Sequence, residues 1–419
     1  ESGLVGASFA FSALVGLVAL LLAARTLSVA DASRFTLFWA LLFALFGVLT
    51  GLSLETTRTL TAAATPAPAT APTPAAPWPA GRIIAVAAAA VAGLGLLTLP
   101  AWRLAIPAAA GGLQWAIGGA VLLGAMGYAG HTTCLGTLAG AQRWRLYSLV
   151  TFAESALRLV LLSLAAAARL GLIGFAYATA AAEFAWLLVL AAPSARAALR
   201  RLTDAGPLTF WRRALSAMGG QGANALLGVG FPFLLGLTTG ANILLTAAPL
   251  NLAISLTRAP LMVPLTAFQS VAVAYFTRRR EGRRRTLATL LGLVAGIGLV
   301  GAALAWAIGP WLMGLIGDGY AVAGPVLAGL TLGAAAITGL TLTGVLCQAV
   351  TRYKAYLTGW LAALAVAIVA LLTPASLETR AIAALTTGPL VGIALHLLNL
   401  RRPDATRGRG PEPTSNQVA

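Results

Sequence analysis

The sequence predicts an all-α polytopic membrane protein with about twelve transmembrane helices in two similar halves. Hydrophobic residues form 59% of the 419-residue chain and charged residues only 9%, whereas roughly 25% of the residues in a typical soluble protein are charged. Apolar segments of membrane-spanning length recur along the chain, and the basic residues gather in alternate connections between them. A soluble fold of this length could not cover its surface with so few charged side chains, so this composition excludes one.

The predicted spans follow from the length of helix that crosses a membrane, which is about 20 mostly apolar residues. The eighth candidate is unusually long and contains Pro249, Pro260 and Pro264. Proline breaks or kinks a helix, so we expect this span to be bent or broken. The twelve candidate spans are 4–24, 35–54, 83–99, 113–135, 146–167, 171–192, 214–237, 243–272, 287–309, 322–346, 355–373 and 379–399.

The distribution of basic residues predicts the orientation of these spans. The even-numbered connections and the C-terminal tail hold most of the 28 lysines and arginines, whereas the odd-numbered connections hold few. Cytoplasmic loops carry such an excess, so we expect a multi-pass protein of the cytoplasmic membrane with both termini in the cytoplasm. The net charge of +17 is then a topology signal, and no nucleic-acid partner is expected.

The two halves are predicted to form two lobes. Residues 1–200 carry spans 1 to 6 and make the N-terminal lobe, and residues 201–400 carry spans 7 to 12 and make the C-terminal lobe. Residues 61–81 are rich in proline and alanine, which predicts an extended cytoplasmic linker between spans 2 and 3. Residues 401–419 are predicted to form a disordered cytoplasmic tail.

A faint internal repeat relates the two halves. The segment "RWRLY", which begins at Arg143, enters span 5, and "RYKAY", which begins at Arg352, enters span 11. The shift between them is half of the chain and maps each span onto the sixth span after it, so the two halves share one orientation in the membrane. Transporters built in this way place their substrate site between the lobes near the membrane midplane.

Four segments carry a resemblance to a known family. They are "AARTLSVADASRF" after span 1, "LETTR" at the end of span 2, "GTLAGAQRWRLYS" before span 5 and "TRAP" in span 8. In their order and placement they resemble Wzx-type flippases for polysaccharide precursors and lipid-linked oligosaccharides. These flippases belong to the multidrug/oligosaccharidyl-lipid/polysaccharide exporter superfamily.

The resemblance implies a fold, a substrate and partners. It implies two pseudo-symmetric six-helix bundles that face each other across a central cavity. It implies a substrate of the undecaprenyl type, a saccharide linked to the lipid through phosphate or pyrophosphate, with the headgroup in the cavity and the lipid tail outside. The partners expected from it are membrane lipids and a polysaccharide polymerase or glycosyltransferases; we expect a monomer without a cofactor.

Three arginines are candidate substrate-binding residues. Arg258 lies midway along span 8 just before Pro260, and a guanidinium at this depth is costly enough to indicate a function. Arg25 closes span 1 and Arg58 closes span 2, and the resemblance implies that spans 1, 2, 7 and 8 line the cavity. We expect all three to face one wet crevice halfway through the membrane. The alternatives are a structural partner for Arg258 and interfacial anchoring for Arg25 and Arg58.

Two asparagines and four ionisable residues complete the candidate site. Asn224 and Asn251 are candidate donors to the sugar or, equally, interhelical hydrogen-bonding groups. The coupling or gating candidates include Glu154 and Arg158, whose i,i+4 spacing lets them pair, and Glu183, which has no local partner. Glu183 is either a protonatable coupling group or a protonated carboxyl bonded to a neighbouring helix. Glu55, three residues before Arg58, is the fourth coupling or gating candidate.

Two other function classes remain open. A multidrug cation exporter of the same fold is the first alternative, although a cationic drug would favour a carboxylate-rich interior. A membrane glycosyltransferase or polymerase is the second, but no metal-spaced cluster and no Walker motif is found in the sequence. We therefore predict no catalytic or metal-binding residues, and the energy source stays open between membrane potential, protons and consumption of the product.

Overall fold

The computed structural model describes residues 2–63, 79–97, 111–200, 206–239, 247–261, 283–350 and 352–401. All regular elements in these ranges are helices. Most of the predicted linker (61–81) and nearly all of the predicted tail (401–419) lie outside the described residues, as does Pro264.

The first half of the chain forms five long helices, one broken helix and a short surface helix. The broken helix consists of α6 and α7, which a turn at residues 183–185 separates. The elements are α1 (Ser2–Thr26), α2 (Val29–Ala63), α3 (Ala80–Leu97), α4 (Gly111–Gly140), α5 (Trp144–Ala167), α6 (Gly171–Ala182), α7 (Trp186–Val189) and α8 (Pro193–Leu199).

The second half repeats this pattern of long helices, with a sharp bend near its start. The short helix after the bend carries a proline in its first turn. The elements are α9 (Pro207–Gly228), α10 (Phe231–Leu237), α11 (248–261), α12 (Arg283–Gly314), a 3₁₀ turn (Asp318–Tyr320), α13 (Gly324–Ala349), α14 (Tyr353–Leu371) and α15 (Leu377–Arg401).

Each of the twelve predicted spans coincides with helix in the described part of the chain. Nine of the helices there are long and apolar enough to cross a membrane by themselves. The other three predicted spans correspond to α4, to α9 and α10, whose axes meet at 77°, and to α11. The predicted all-α polytopic fold is confirmed. In α11, Pro249 lies in the first turn, where proline is tolerated, and the helix continues to residue 261.

The internal repeat is visible in the backbone. Arg143 precedes α5 with φ −94° and ψ 59°, and Arg352 precedes α14 with φ −91° and ψ 61°. Two segments at equivalent positions in the two halves therefore begin their helices in the same way. Below, the "basic end" of the helices is the end that carries Arg58, Arg143 and Arg352, and the "opposite end" carries Arg25.

The two halves meet along α2 and α9, which pack closely against each other. Gly47 and Gly51, one turn apart on α2, face Ala225 and Met218 of α9. A Cβ atom added at Gly51 would lie 2.7 Å from the Met218 Cα atom, so the two backbones touch. Small residues four apart are what allows helices to approach closely in membranes. We call this contact the α2–α9 seam.

Larger side chains at the seam glycines are expected to destabilise the protein, because they would clash with α9. Replacing Gly51 with leucine should force α2 and α9 apart, and over-packing of this kind typically costs about 1–3 kcal/mol. Gly93 on α3 is the matched control, because a Cβ atom there would meet nothing within 4 Å. In thermal unfolding of the purified protein, Gly51→Leu should lower the midpoint temperature and Gly93→Leu should not. Equal midpoints for both variants would contradict the close contact.

Candidate functional site

Arg258 lies where the bend between α9 and α10 meets α11. One terminal nitrogen of its guanidinium (Nη1) donates a hydrogen bond to the carbonyl oxygen of Gly228, the last residue of α9. The guanidinium carbon lies 5.5 Å from the centre of the Phe231 ring. The other two nitrogens, Nε and Nη2, are buried and have no hydrogen-bond partner among the described residues. A buried guanidinium with two unused donors is suited to bind an anion.

Asn251 lies two turns before Arg258 on the same face of α11, about 10 Å away along the helix axis. It is fully buried, and neither its amide nitrogen nor its amide oxygen has a hydrogen-bond partner within the described residues. An unsatisfied buried amide costs about 1–3 kcal/mol. A polar ligand or water that bonds to the amide removes this cost. The same face of α11 therefore carries unpartnered polar groups at Asn251 and, two turns later, at Arg258.

Asn224 joins the same neighbourhood from α9. It lies one turn before Gly228, whose carbonyl receives the hydrogen bond from Arg258, and its side chain lies within hydrogen-bonding reach of the Tyr356 hydroxyl group on α14. The structure therefore brings Arg258 and Asn224 close to one another at the Gly228 corner. Asn251 lies further along α11, towards the opposite end.

Arg25 and Arg58 do not join this site. The α2 backbone from Val29 to Arg58 rises about 43 Å at 1.5 Å per residue, so Arg58 and Arg25 lie at opposite ends of the helices. Arg25 donates a 2.7 Å hydrogen bond to the Leu315 carbonyl oxygen. The expectation that the three arginines share one crevice at the midplane is wrong for this conformation, because two of them end their helices.

Glu55 is held at the basic end of the α2–α9 seam. Its carboxylate accepts two hydrogen bonds from Arg58, of 2.8 Å from Nε and 2.7 Å from Nη2. The Arg213 guanidinium of α9 lies 4.0 Å from the same carboxylate. Glu55 thus bridges the two halves of the chain, one turn beyond the seam glycines. The carboxylate therefore lies where α2 and α9 approach each other at this end.

A second group of charges is buried inside the first half. Arg158 forms ion pairs with Glu154 on its own helix and with Glu183 at the turn between α6 and α7. All three side chains are almost completely buried, and the aromatic rings of Trp39 and Phe43 lie 5.8 and 5.0 Å from the Arg158 guanidinium carbon. We call Glu154, Arg158 and Glu183 the charged triad.

The triad contains one predicted pair and adds a contact from another helix. The expected i,i+4 pair of Glu154 and Arg158 is present. Glu183 has no partner along its own helix, and Arg158 on the neighbouring helix α5 forms an ion pair with it. With all three groups ionised the triad carries one excess negative charge, which is unfavourable away from water.

The second half has no such charges at the equivalent positions. The shift that maps Arg143 onto Arg352 maps Glu154, Arg158 and Glu183 onto Ala363, Ala367 and Gly392. A Cβ atom added at Gly392 would lie 3.0 Å from the Ala363 Cβ atom, so small side chains fill the space that the triad occupies in the first half. The repeat fold therefore packs without the charges, and their presence in one half needs a reason other than packing.

Some contacts of these sites could not be read from the sequence. Phe231, Arg213, Trp39 and Phe43 were not singled out, because they are distant along the chain from the groups they contact. The four-residue spacing of Gly47 and Gly51 was the one available signal for the α2–α9 seam. Among the described residues, no cluster of three His, Cys, Asp or Glu side chains could hold a metal ion.

Two groups of known proteins resemble the chain in sequence. The uncharacterized protein Rv1510 of Mycobacterium tuberculosis is 38% identical over 406 residues, which are 96% of this chain and 91% of that protein. The uncharacterized protein Rv3630 of the same species is 37% identical over 410 residues, covering 96% of this chain and 92% of that protein. No protein-family model matches the chain.

Solved structures with the same fold are transporters. An inward-facing multidrug resistance MATE family transporter of the MOP superfamily aligns with a TM-score of 0.66 at 17% identity, over 93% of this chain and 94% of that one. An outward-facing MATE family transporter gives a TM-score of 0.64 at 16% identity, over 95% of both chains.

A MOP superfamily transporter from Pyrococcus furiosus, described as having a binding pocket of reverse polarity, gives a TM-score of 0.65 at 14% identity, over 95% of both chains. These likenesses establish a two-lobed transporter fold for this chain. At such low identity they do not extend to the substrate.

Proposed function

This chain belongs to the same protein family as Rv1510 and Rv3630 of Mycobacterium tuberculosis, and we propose that it is an alternating-access flippase. Its substrate is a saccharide linked to a lipid through phosphate or pyrophosphate, which it moves across the cytoplasmic membrane. The fold supports a membrane exporter, since the solved structures that share it are transporters.

The observation that carries this proposal is the buried guanidinium of Arg258. Its two unused N–H groups can donate hydrogen bonds to two oxygens of a phosphate group, and arginine stays positively charged in such a site. Asn224 lies beside Arg258 at the Gly228 corner and Asn251 lies two turns further along α11, and amide groups at these two levels suit the hydroxyl groups of a sugar. A site of this composition favours an anionic, polyhydroxylated headgroup.

A cationic drug fits the described interior less well. Glu154 and Glu183 are paired with Arg158, and Glu55 is paired with Arg58. Each of these carboxylates thus already faces an arginine, although one oxygen of Glu183 has no hydrogen-bond partner among the described residues, whereas an anion meets two unused donors at Arg258. The polarity of the site thus supports the lipid-linked saccharide over the multidrug alternative.

The ends of the α2–α9 seam provide gates for the proposed cycle. Glu55 and Arg213 join the halves at the basic end, which the charge distribution predicts to be cytoplasmic, and Arg25 holds the Leu315 carbonyl at the opposite end. Arg58 then meets the headgroup at the cytoplasmic entrance and Arg25 at the exit. The substrate drives the cycle only if it binds one state more tightly than the other.

The charged triad is the proposed coupling site. A proton bound by Glu183 or Glu154 removes the excess negative charge of the triad, so the proton stabilises the arrangement in which both carboxylates face Arg158. Glu183 lies at a turn that interrupts its span. The backbone N–H groups of residues 183–185 donate to the carbonyl of the third preceding residue, not of the fourth as in an α-helix. Such 3₁₀ geometry within a helix often marks a hinge, so protonation and bending are coupled at one residue.

A transport assay separates the candidate substrates. Liposomes that contain the purified protein would be loaded with an isotope-labelled lipid-linked oligosaccharide, and in parallel with a fluorescent cationic dye. We expect protein-dependent translocation of the oligosaccharide headgroup and no dye efflux, because the site offers positive charge. Dye efflux without headgroup translocation would support the multidrug alternative instead.

A further inference from the structure

An apolar groove lies outside the α2–α9 seam. Its cavity volume is about 640 Å³ and its walls come from α2, α3, α4 and α9, a size within the usual range of about 300–1,000 Å³ for ligand sites. On α2 the lining runs from Leu41 to Leu52, a rise of about 16 Å. This is about half of the roughly 30 Å hydrocarbon core of a bilayer, which is the depth of one leaflet.

The seam separates this groove from the Arg258 site. Leu45 and Leu49 line the groove, whereas Gly47 and Gly51 of the same helix touch α9 directly. A hydrocarbon chain in the groove therefore cannot share a continuous space with a headgroup at Arg258 while the seam is closed. The groove is thus a separate site rather than the tail compartment of the transported lipid.

Two exposed arginines stand on wall helices of the groove, towards the basic end of the helices. Trp211 and Leu215 of α9 line the groove, and the exposed Arg212 stands between them in the sequence. On α3, the exposed Arg82 precedes Ile83, which packs in the same apolar cluster as Phe210. An apolar groove one leaflet deep, with exposed arginines on two of its wall helices towards one end, is complementary to a lipid that carries a negative headgroup.

We propose that this groove binds one acyl chain of an anionic glycerophospholipid from the leaflet at the basic end, with Arg82 and Arg212 contacting its phosphate-bearing headgroup. Basic side chains near a membrane surface each favour anionic lipid by about fivefold. Two of them together give a preference of about 25-fold over a zwitterionic lipid with the same acyl chains. This site is independent of the substrate proposed above and does not require transport.

Photolabelling tests the proposal. The protein would be reconstituted in phosphatidylcholine vesicles with a trace of phosphatidylglycerol that carries a diazirine in one acyl chain, and labelled peptides would be identified by mass spectrometry. We expect labelling of α3 and α9 residues in the groove. The phosphatidylcholine analogue with the same diazirine chain should label them about 25-fold less.

Matched variants give the test its specificity. Ala89 and Ala90 are adjacent, exposed residues of α3, but only Ala90 lines the groove. Ala90→Trp should abolish labelling of the groove and Ala89→Trp should leave it unchanged, while the double variant Arg82→Gln/Arg212→Gln should remove the preference for phosphatidylglycerol. Equal labelling by both lipids, or labelling that survives Ala90→Trp, would overturn the proposal, since bulk lipid alone would then explain contact with this surface.

Discussion

Replacing Arg258 with glutamine is expected to reduce headgroup translocation by at least about 30-fold. Truncating one partner of a buried, hydrogen-bonded charge pair costs about 2–5 kcal/mol, and about 1.4 kcal/mol corresponds to a factor of ten. Glutamine keeps a hydrogen-bond donor but not the charge that faces the phosphate. Initial rates of translocation of a labelled lipid-linked oligosaccharide in liposomes would measure the effect.

Two further variants make this result interpretable. Arg258→Lys keeps the charge but not the planar pair of donors, so its rate should fall between those of the wild type and Arg258→Gln. Arg196→Gln removes a charge from the exposed side of α8 and should leave the rate unchanged. A wild-type rate for Arg258→Gln, in protein that is folded and inserted, would remove Arg258 from the substrate site.

Removing Arg158 alone is expected to destabilise the protein by about 3–5 kcal/mol, because it leaves Glu154 and Glu183 as buried, uncompensated carboxylates. Replacing the whole charged triad should have a different outcome. A triple variant with Glu154→Leu, Arg158→Met and Glu183→Leu fills the same space with apolar side chains, a change that is often neutral or stabilising in other proteins. Denaturant unfolding of both variants would measure their free energies of unfolding, which should fall in the variant without Arg158 and stay near the wild-type value in the triple variant.

The triple variant also tests the coupling role of the charged triad. If the triad binds the coupling proton, the wild type should transport faster under a proton gradient and lose this response when an uncoupler is added. The triple variant, although stable, should not respond to either treatment. A triple variant that still responds to the gradient like the wild type would assign the triad a structural role only.

The fold could be predicted because its determinants are local. Each span is a continuous apolar segment, and the basic residues between spans mark alternate connections, so the twelve positions follow from the sequence without any knowledge of packing. The pair of Glu154 and Arg158 could also be predicted, since helical geometry places residues four apart on one face.

The candidate site could be predicted only in part, because its decisive contacts join distant residues. Glu183 is 25 residues from Arg158, and Glu55 meets Arg213 from the other half of the chain. Position along a span does not reveal which helix lies opposite. The same limit applies to Arg25 and Arg58, since the end of a span cannot lie beside the middle of another span that also crosses the membrane.

Cross-linking tests most directly whether an anionic headgroup binds beside Arg258 at the Gly228 corner. A lipid-pyrophosphate saccharide with a diazirine on its first sugar would be bound to the reconstituted protein, irradiated and mapped by mass spectrometry. We predict cross-links to α9 and α11, in the peptides that contain Asn224, Asn251 and Arg258, and their loss in Arg258→Gln. Cross-links confined to lipid-facing residues of α3 or α12, unchanged by Arg258→Gln, would contradict binding at this corner.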